Sequence, residues 1–319
     1  MLQVWKNRHI LAGTLTFVPI LNAWRQRRDS TGGSNSARYC YSVWFRHLDA
    51  LDRCGFKISG AHIGELGPGD SLGIGLAALL SGAARYVGLD IVPYSATADL
   101  GKMLDELLHM YAQKERVPDD AEFPFVRPRM DSYEFPSHLI DRMDCSMKAQ
   151  EIHREIRDGL NSGPLLGYRA PWTSLPHVAE ASLDLIFSQA VLEHVDGLEE
   201  TYRAMFAWLK PGGYASHVID FTAHGRSPFW NGHWAYSDWE WKLVRGKREF
   251  LLNREPLSTH LVLARNVGFE LALTMKNQRP HGLERSSLAP RFRGMDIDDT
   301  QTSGVFLILR KPKSDQTLG

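Results

Sequence analysis

Two stretches of this sequence bring together residue types that can do chemistry. The first is Ala61-His62-Ile63-Gly64-Glu65-Leu66-Gly67-Pro68-Gly69-Asp70-Ser71-Leu72-Gly73, a short apolar run that meets an acid and a glycine turn before a second apolar run, 72–80, predicts a helix. Gly67 and Gly69 let the backbone turn tightly and leave no Cβ between main chain and ligand, and the first N–H groups of the helix point back at the turn. That is a nucleotide-type binding loop. A dinucleotide fingerprint needs glycines at the first, third and sixth positions, and here the sixth is Leu72, with Gly73 one place late. Glu65 stands just before the glycine pair, where it would repel a pyrophosphate but hold the ammonium of an amino-acid-bearing ligand. The loop therefore suits a cationic cofactor.

The second stretch is Tyr214-Ala215-Ser216-His217-Val218-Ile219-Asp220-Phe221-Thr222-Ala223-His224, which runs off a predicted strand into a loop. Asp220 and His224 then fall near the carboxyl edge of a sheet, where open α/β folds bind ligands. Imidazoles at 217 and 224 can act as general bases, because histidine titrates near neutrality and a carboxylate can orient it. His194, in Leu192-Glu193-His194-Val195, is a third candidate base. The same trio of His217, Asp220 and His224 could hold a divalent metal, but no further ligands at a telling spacing accompany it and no metal is expected. Loop histidines that only satisfy hydrogen bonds stay open as the bland alternative.

Four stretches in order carry a family resemblance. They are the Glu65-Leu66-Gly67-Pro68-Gly69 loop, the strand Arg85-Tyr86-Val87-Gly88-Leu89-Asp90, the run Ser182-Leu183-Asp184-Leu185-Ile186-Phe187-Ser188-Gln189-Ala190-Val191-Leu192-Glu193-His194-Val195, and Trp208-Leu209-Lys210-Pro211-Gly212-Gly213. Together they resemble the class I S-adenosylmethionine-dependent methyltransferases, with motifs of the methyltransferase-11 type. The resemblance implies a seven-stranded, doubly wound Rossmann-like α/β sheet with an antiparallel C-terminal hairpin. It also implies S-adenosylmethionine as cofactor, held by Glu65, Gly67, Pro68, Gly69 and Ser71 of the loop, by Asp90 and Ile91 at the ribose, and by Ala170 and Gln189. Tyr168-Arg169-Ala170-Pro171-Trp172 takes the place of the third strand end, where the family binds adenine, without the acid often found there. In the family the histidine of Leu-Glu-His-Val is often structural.

The elements that must position these groups follow from the rest of the chain. At 319 residues and 43% hydrophobic it can bury a sizeable core and exceeds the roughly 150 to 200 residues a minimal nucleotide-binding domain needs. Residues 1–56 read as a helical extension: an apolar run, 10–21, between basic flanks, then a helix over 37–53 that suits either a lid over the cofactor or core packing. The apolar run is shorter than the ~20 residues that span a bilayer and lacks a small-x-small cleavage site, which leaves a helix packed on the domain or peripheral membrane contact. Residues 57–319 read as the methyltransferase domain that the resemblance implies. It carries a cap insertion, 91–167, expected to be helical over 96–114 and 137–160 and to shape an acceptor pocket. An aromatic insertion, 225–256, holds Phe229, Trp230, His233, Trp234, Tyr236, Trp239 and Trp241, rings that suit a sugar or apolar acceptor or else form the insertion's own core. Arg254 could bind an acceptor carboxylate or pair with Glu255. A helix over 258–266 and strands over 269–275 and 305–309 close the fold.

Lys+Arg and Asp+Glu both number 37, so no basic surplus serves a nucleic acid, and a small-molecule, sugar or lipid-like acceptor is expected. Three cysteines without a CxxC pair argue against a disulfide framework and point to a reducing cytoplasm. The expected reaction is O-methylation by a cytoplasmic enzyme, which could also touch a membrane peripherally through its N-terminal segment. Against it stand a non-catalytic S-adenosylmethionine-binding module that recruits partners and, less well matched to the loop, an NAD(P)-dependent oxidoreductase.

Overall fold

The computed structural model describes residues 2–18, 33–92, 98–140, 145–172, 178–248 and 250–313. Its centre is a seven-stranded sheet built from β1 (His62–Leu66), β2 (Arg85–Leu89), β3 (Leu166–Arg169), β4 (Leu183–Gln189), β5 (Leu209–Asp220), β6 (Glu270–Gln278) and β7 (Thr302–Arg310). The order is β3-β2-β1-β4-β5-β7-β6, with the first five parallel and β7 antiparallel to both its neighbours. This is the expected Rossmann-like sheet with its antiparallel hairpin. The strand order reverses between β1 and β4, so the loops leaving those two strands open a crevice at the carboxyl edge.

Both faces of the sheet are covered, which is why its central strands read as continuous apolar runs. One face packs on α2 (Ala37–Arg53), α3 (Gly73–Ser81) and α4 (Leu100–Gln113), the other on α6 (Leu198–Trp208) and α8 (Leu257–Val267). The other helices are α1 (Leu2–Thr14), α5 (Cys145–Asp158), α7 (Asp238–Arg245) and the short α9 (Ile297–Gln301). Every residue of α3 is buried, so the helix is apolar all round instead of amphipathic. Its Gly75 is required by packing: a Cβ there would stand 2.2 Å from the ring of Tyr86.

Helix α2 lies in the core, with Trp44 Nε1 donating to Ser81 Oγ at 2.8 Å and His47 tied to Ser216 Oγ of β5 at 2.8 Å. Its buried Arg46 organises the irregular stretch after α4. The guanidinium donates to Ser42 Oγ, to the carbonyls of Pro118, Val126 and Pro128, and to Asp120 Oδ1 at 3.0 Å, and stacks over Tyr133 at 5.0 Å. Arg46→Ala should cost about 3–5 kcal/mol, because it strands three carbonyls around an empty site and takes from Asp120 one of its partners, leaving it Arg129 and Tyr133. Urea unfolding measures this, and a loss below about 1 kcal/mol would show that water replaces the side chain.

Several local expectations change. The stretch 137–160 is not one helix: a 3₁₀ turn (Ser137–Leu139) precedes α5. A 3₁₀ turn (Leu192–His194) also stands between the fourth strand and α6. Two rings of the aromatic insertion, Tyr236 and Trp241, form its own core with Val244, Leu251, Leu252 and Ile10 of α1, while Trp230 and Trp234 join the sheet core and Phe229 and Trp239 are exposed. Helix α1 rests on α7, Lys6 bridging to Glu240 at 2.9 Å, and leaves Val4, Leu11 and Leu15 exposed. Among the described residues no helix is long and apolar enough to cross a membrane. The basic residues Arg25, Arg27 and Arg28 lie outside the described residues.

Candidate active site

The glycine loop has the conformation its composition demands. Gly67 and Gly69 hold φ of 62° and 70°, the left-handed region, and a Cβ on Gly67 would stand 2.8 Å from Val191 Cγ2. The backbone there can be approached closely only because both side chains are absent. Gly69 N–H donates to Asp90 Oδ2 at 3.2 Å, and Ile91 N–H to Asp90 Oδ1 at 2.7 Å. The carboxylate at the end of β2 is thus set beside the loop, ready for a diol. Burial pushes its pKa up, while these main-chain donors and the N–H of Val92 pull the other way. Trp172 N–H donates to the Asp90 carbonyl at 3.0 Å, which keeps Ala170 and the end of β3 next to the same position.

Pro68 is buried under the loop, and Ser71 is fixed from above by residues that precede α2. Its Oγ donates to the Ser34 carbonyl, and its N–H donates to Ser34 Oγ at 3.2 Å. Glu65 sits inside β1, where Tyr86 Oη donates to its Oε2 at 2.5 Å. Burial raises its pKa to about 8, against the pull of that hydrogen bond, so the acid is mostly protonated at neutrality until a cation is brought to it. Gln189, the last residue of β4, meets His47 through Oε1 at 3.2 Å, a contact set by the histidine's tautomer. The cradle of glycine main chain, buried acid and strand-end carboxylate fits an adenosine that carries a sulfonium and an amino-acid tail.

The turn after β4 joins this cradle to the second cluster. Val191 packs on Gly67, and three residues later the His194 ring lies 5.2 Å from that of His224. His224 Nε2 is 3.1 Å from Asp220 Oδ2, with the two side chains 29% and 39% exposed. Burial opposes the Asp220 charge, but hydrogen bonds from His224 and Thr222 bring its pKa below the ordinary value. Burial and the neighbouring His224 push His194 down to about 4.

His217 does not join them. It is fully buried within β5, its Nδ1 bonded to Ser188 Oγ at 2.8 Å, and burial lowers its pKa to about 3. The reason is the two-residue period of a strand: Ser216 meets His47 on the α2 face, so His217 must turn to the face of α6 and α8. Arg254 is likewise no acceptor ligand and does not pair with Glu255. It donates to Asp238 Oδ1 at 2.6 Å and to the Tyr236 carbonyl at 2.7 Å, while Glu255 takes Arg291.

Two residues that the sequence does not offer as base or cofactor ligand belong to the cluster. Glu193 Oε1 accepts from Asp220 N–H at 3.3 Å, and burial drives its pKa well above the carboxylate range. His233, from the aromatic insertion, is buried close enough to His224 and Asp220 to feel both, and burial takes its pKa to about 3. A glutamate beside a candidate base is a legible signal; nothing local marks His233. Among the described residues no group of three or more His, Cys, Asp or Glu has the geometry of a metal site.

Fold and site define an open α/β domain whose glycine loop and carboxylate–imidazole pair both lie at the carboxyl edge of the sheet. Residues 142–216 match the family model of a methyltransferase domain. No curated protein matches. Among solved structures the chain is similar to an S-adenosylmethionine-dependent methyltransferase from Mesorhizobium loti, at 16% identity over 87% of this chain and 100% of that one, TM-score 0.42. It is also similar to Haemonchus contortus phosphoethanolamine N-methyltransferase 2 in complex with S-adenosyl-L-methionine, at 13% identity over 86% of this chain and 57% of that one, TM-score 0.44. The matched segment is under a quarter of the chain and carries β3, β4 and most of β5 of the Rossmann-like sheet.

Proposed function

We propose that this protein is an S-adenosylmethionine-dependent methyltransferase that acts on the oxygen of a small-molecule acceptor seated at the carboxyl edge of β4 and β5, with His224 as base. The observation that carries the reading is the 3.1 Å contact between His224 Nε2 and Asp220 Oδ2, at a partly exposed position. Bound S-adenosylmethionine supplies a methyl group already made electrophilic by its sulfonium. What the chain must add is alignment of the acceptor and removal of its proton. With Asp220 accepting from Nε2–H, the basic lone pair of His224 lies on Nδ1, and the carboxylate stabilises the imidazolium once the proton arrives. Val191 and the turn that follows carry the acceptor side against the glycine loop, which supports in-line approach between the two clusters. Gly67, Gly69, Asp90, Ala170 and Gln189 would hold the cofactor, with Glu65 ionising beneath its positive charge.

His224→Ala should slow methyl transfer by about 10²-fold or more while the cofactor affinity stays within about twofold. Steady-state rates with a labelled methyl donor, paired with calorimetry, check both halves. Unaltered turnover would remove His224 as base, and no transfer to any hydroxyl-bearing acceptor would favour a cofactor-binding module without catalysis.

A further inference from the structure

The carboxyl edge carries more polar groups than a base and its orienting carboxylate use. Glu193 Oε2, His194 Nδ1, Trp230 Nε1 and His233 Nδ1 are all buried without a hydrogen-bond partner. Orphaned polar atoms cost free energy, so four in one neighbourhood mark a surface shaped for partners from outside the chain. They do share a neighbourhood. Glu193 is bonded to the Asp220 main chain, the His194 ring lies tilted 5.2 Å from that of His224, and His233 feels the charges of His224 and Asp220 while its ring bonds the backbone of Trp230.

Their chemistry narrows what the partner can be. Burial and the charge of Asp220 keep Glu193 protonated, so its carboxyl donates as an O–H, and the indole of Trp230 can only donate. His194 and His233 are held neutral by burial and offer acceptor lone pairs. The cation nearest in effect to His233, Arg254, is committed to Asp238 and the Tyr236 carbonyl. A phosphate or carboxylate would therefore meet the Asp220 charge with no free counter-ion among the described residues of the cluster, and an ammonium, which only donates, would leave the Glu193 and Trp230 donors without acceptors. A hydroxyl both donates and accepts from one atom. We propose that Glu193, Trp230 and His233 form the floor of the acceptor site and recognise the hydroxyl groups of a neutral polyol of the saccharide type. This rests on the reading that the acceptor sits beside His224.

The test is equilibrium binding, which needs no methyl transfer. Protein saturated with S-adenosylhomocysteine is titrated, by saturation-transfer NMR, with methyl glucoside, methyl galactoside and myo-inositol, and with glucose 6-phosphate and glucosamine as charged counterparts. At least one neutral member should bind about tenfold more tightly than either charged compound. Glu193→Gln, which keeps a neutral donor, should hold that affinity within about threefold, whereas Glu193→Leu and Trp230→Phe should each weaken it about tenfold or more, with S-adenosylhomocysteine affinity unchanged. Rescue by glutamine separates recognition from mere packing, and Trp230→Phe carries the test if Glu193→Leu does not fold. Preference for a charged compound, no binding by any neutral member, or a glutamine variant as weak as leucine would overturn the proposal. Because binding is read alone, failure of His224→Ala to slow turnover would count against the base and leave the floor standing.

Discussion

Gly67→Val should abolish cofactor binding. The substitution forces a β-branched residue into a φ of 62° and drives its Cβ to 2.8 Å from Val191 Cγ2, so the loop must move away from the position at which its main chain faces the ligand. An affinity loss of at least 100-fold, about 2.7 kcal/mol, is expected by calorimetry. Gly60 supplies the control. It has φ of 71°, and a Cβ at that position would meet nothing within 4 Å, so Gly60→Val carries the same backbone strain without the collision. That variant should lose some stability and keep its cofactor affinity; equal loss in both would mean that strain spreads through the fold and that the loop has no special role.

Acid should unfold this protein well above the pH at which its carboxylates protonate. Burial lowers the pKa values of His47 and His194 to about 4 and those of His217, His233 and His260 to about 3. A depressed histidine costs nothing above its unfolded pKa of about 6.5, and below it the unfolded chain takes a proton that the fold refuses. Glu65 and Glu193 act in the opposite sense, since their raised values mean that the fold holds protons the unfolded chain has lost. Between about pH 6.5 and 4.5, five protons favour the unfolded chain and two favour the fold, a net of three. Stability should then fall by about 4 kcal/mol per pH unit, against a total of about 5–15 kcal/mol for a typical domain. Tryptophan fluorescence during acid titration will report this through the fully buried Trp44, Trp208 and Trp234. The transition should lie between about pH 6 and 4.5, and stability that stays flat through that window would contradict the burial of these imidazoles.

How much of the fold and site is legible in the sequence depends on how local the cause is. The glycine loop and Asp90 are set by backbone freedom and by strand ends within one βα unit, and they stand where the motif places them. The strand order and the final hairpin follow from motifs in series. His217 is misplaced when nearness in sequence stands in for geometry: it is three residues from Asp220, an odd number, and a strand puts such positions on opposite faces. Applying that period sets it aside. His233 could not be found this way, because a loop carries it to His224 from an insertion whose rings otherwise read as core. Arg46 gives no sign of its role either, since its partners are main-chain carbonyls some seventy to eighty residues further on, which no side-chain pattern records.

A sulfonium-bearing adenosine lying along the bend between β1 and α3 is the claim on which the base, the acceptor floor and the glycine variants all depend. Titration of S-adenosylmethionine into the unaltered protein in a calorimeter tests it most directly. A single saturable site per chain, competed away by S-adenosylhomocysteine and not by NADH, is the predicted result; no saturable heat, or displacement by the dinucleotide, would contradict it.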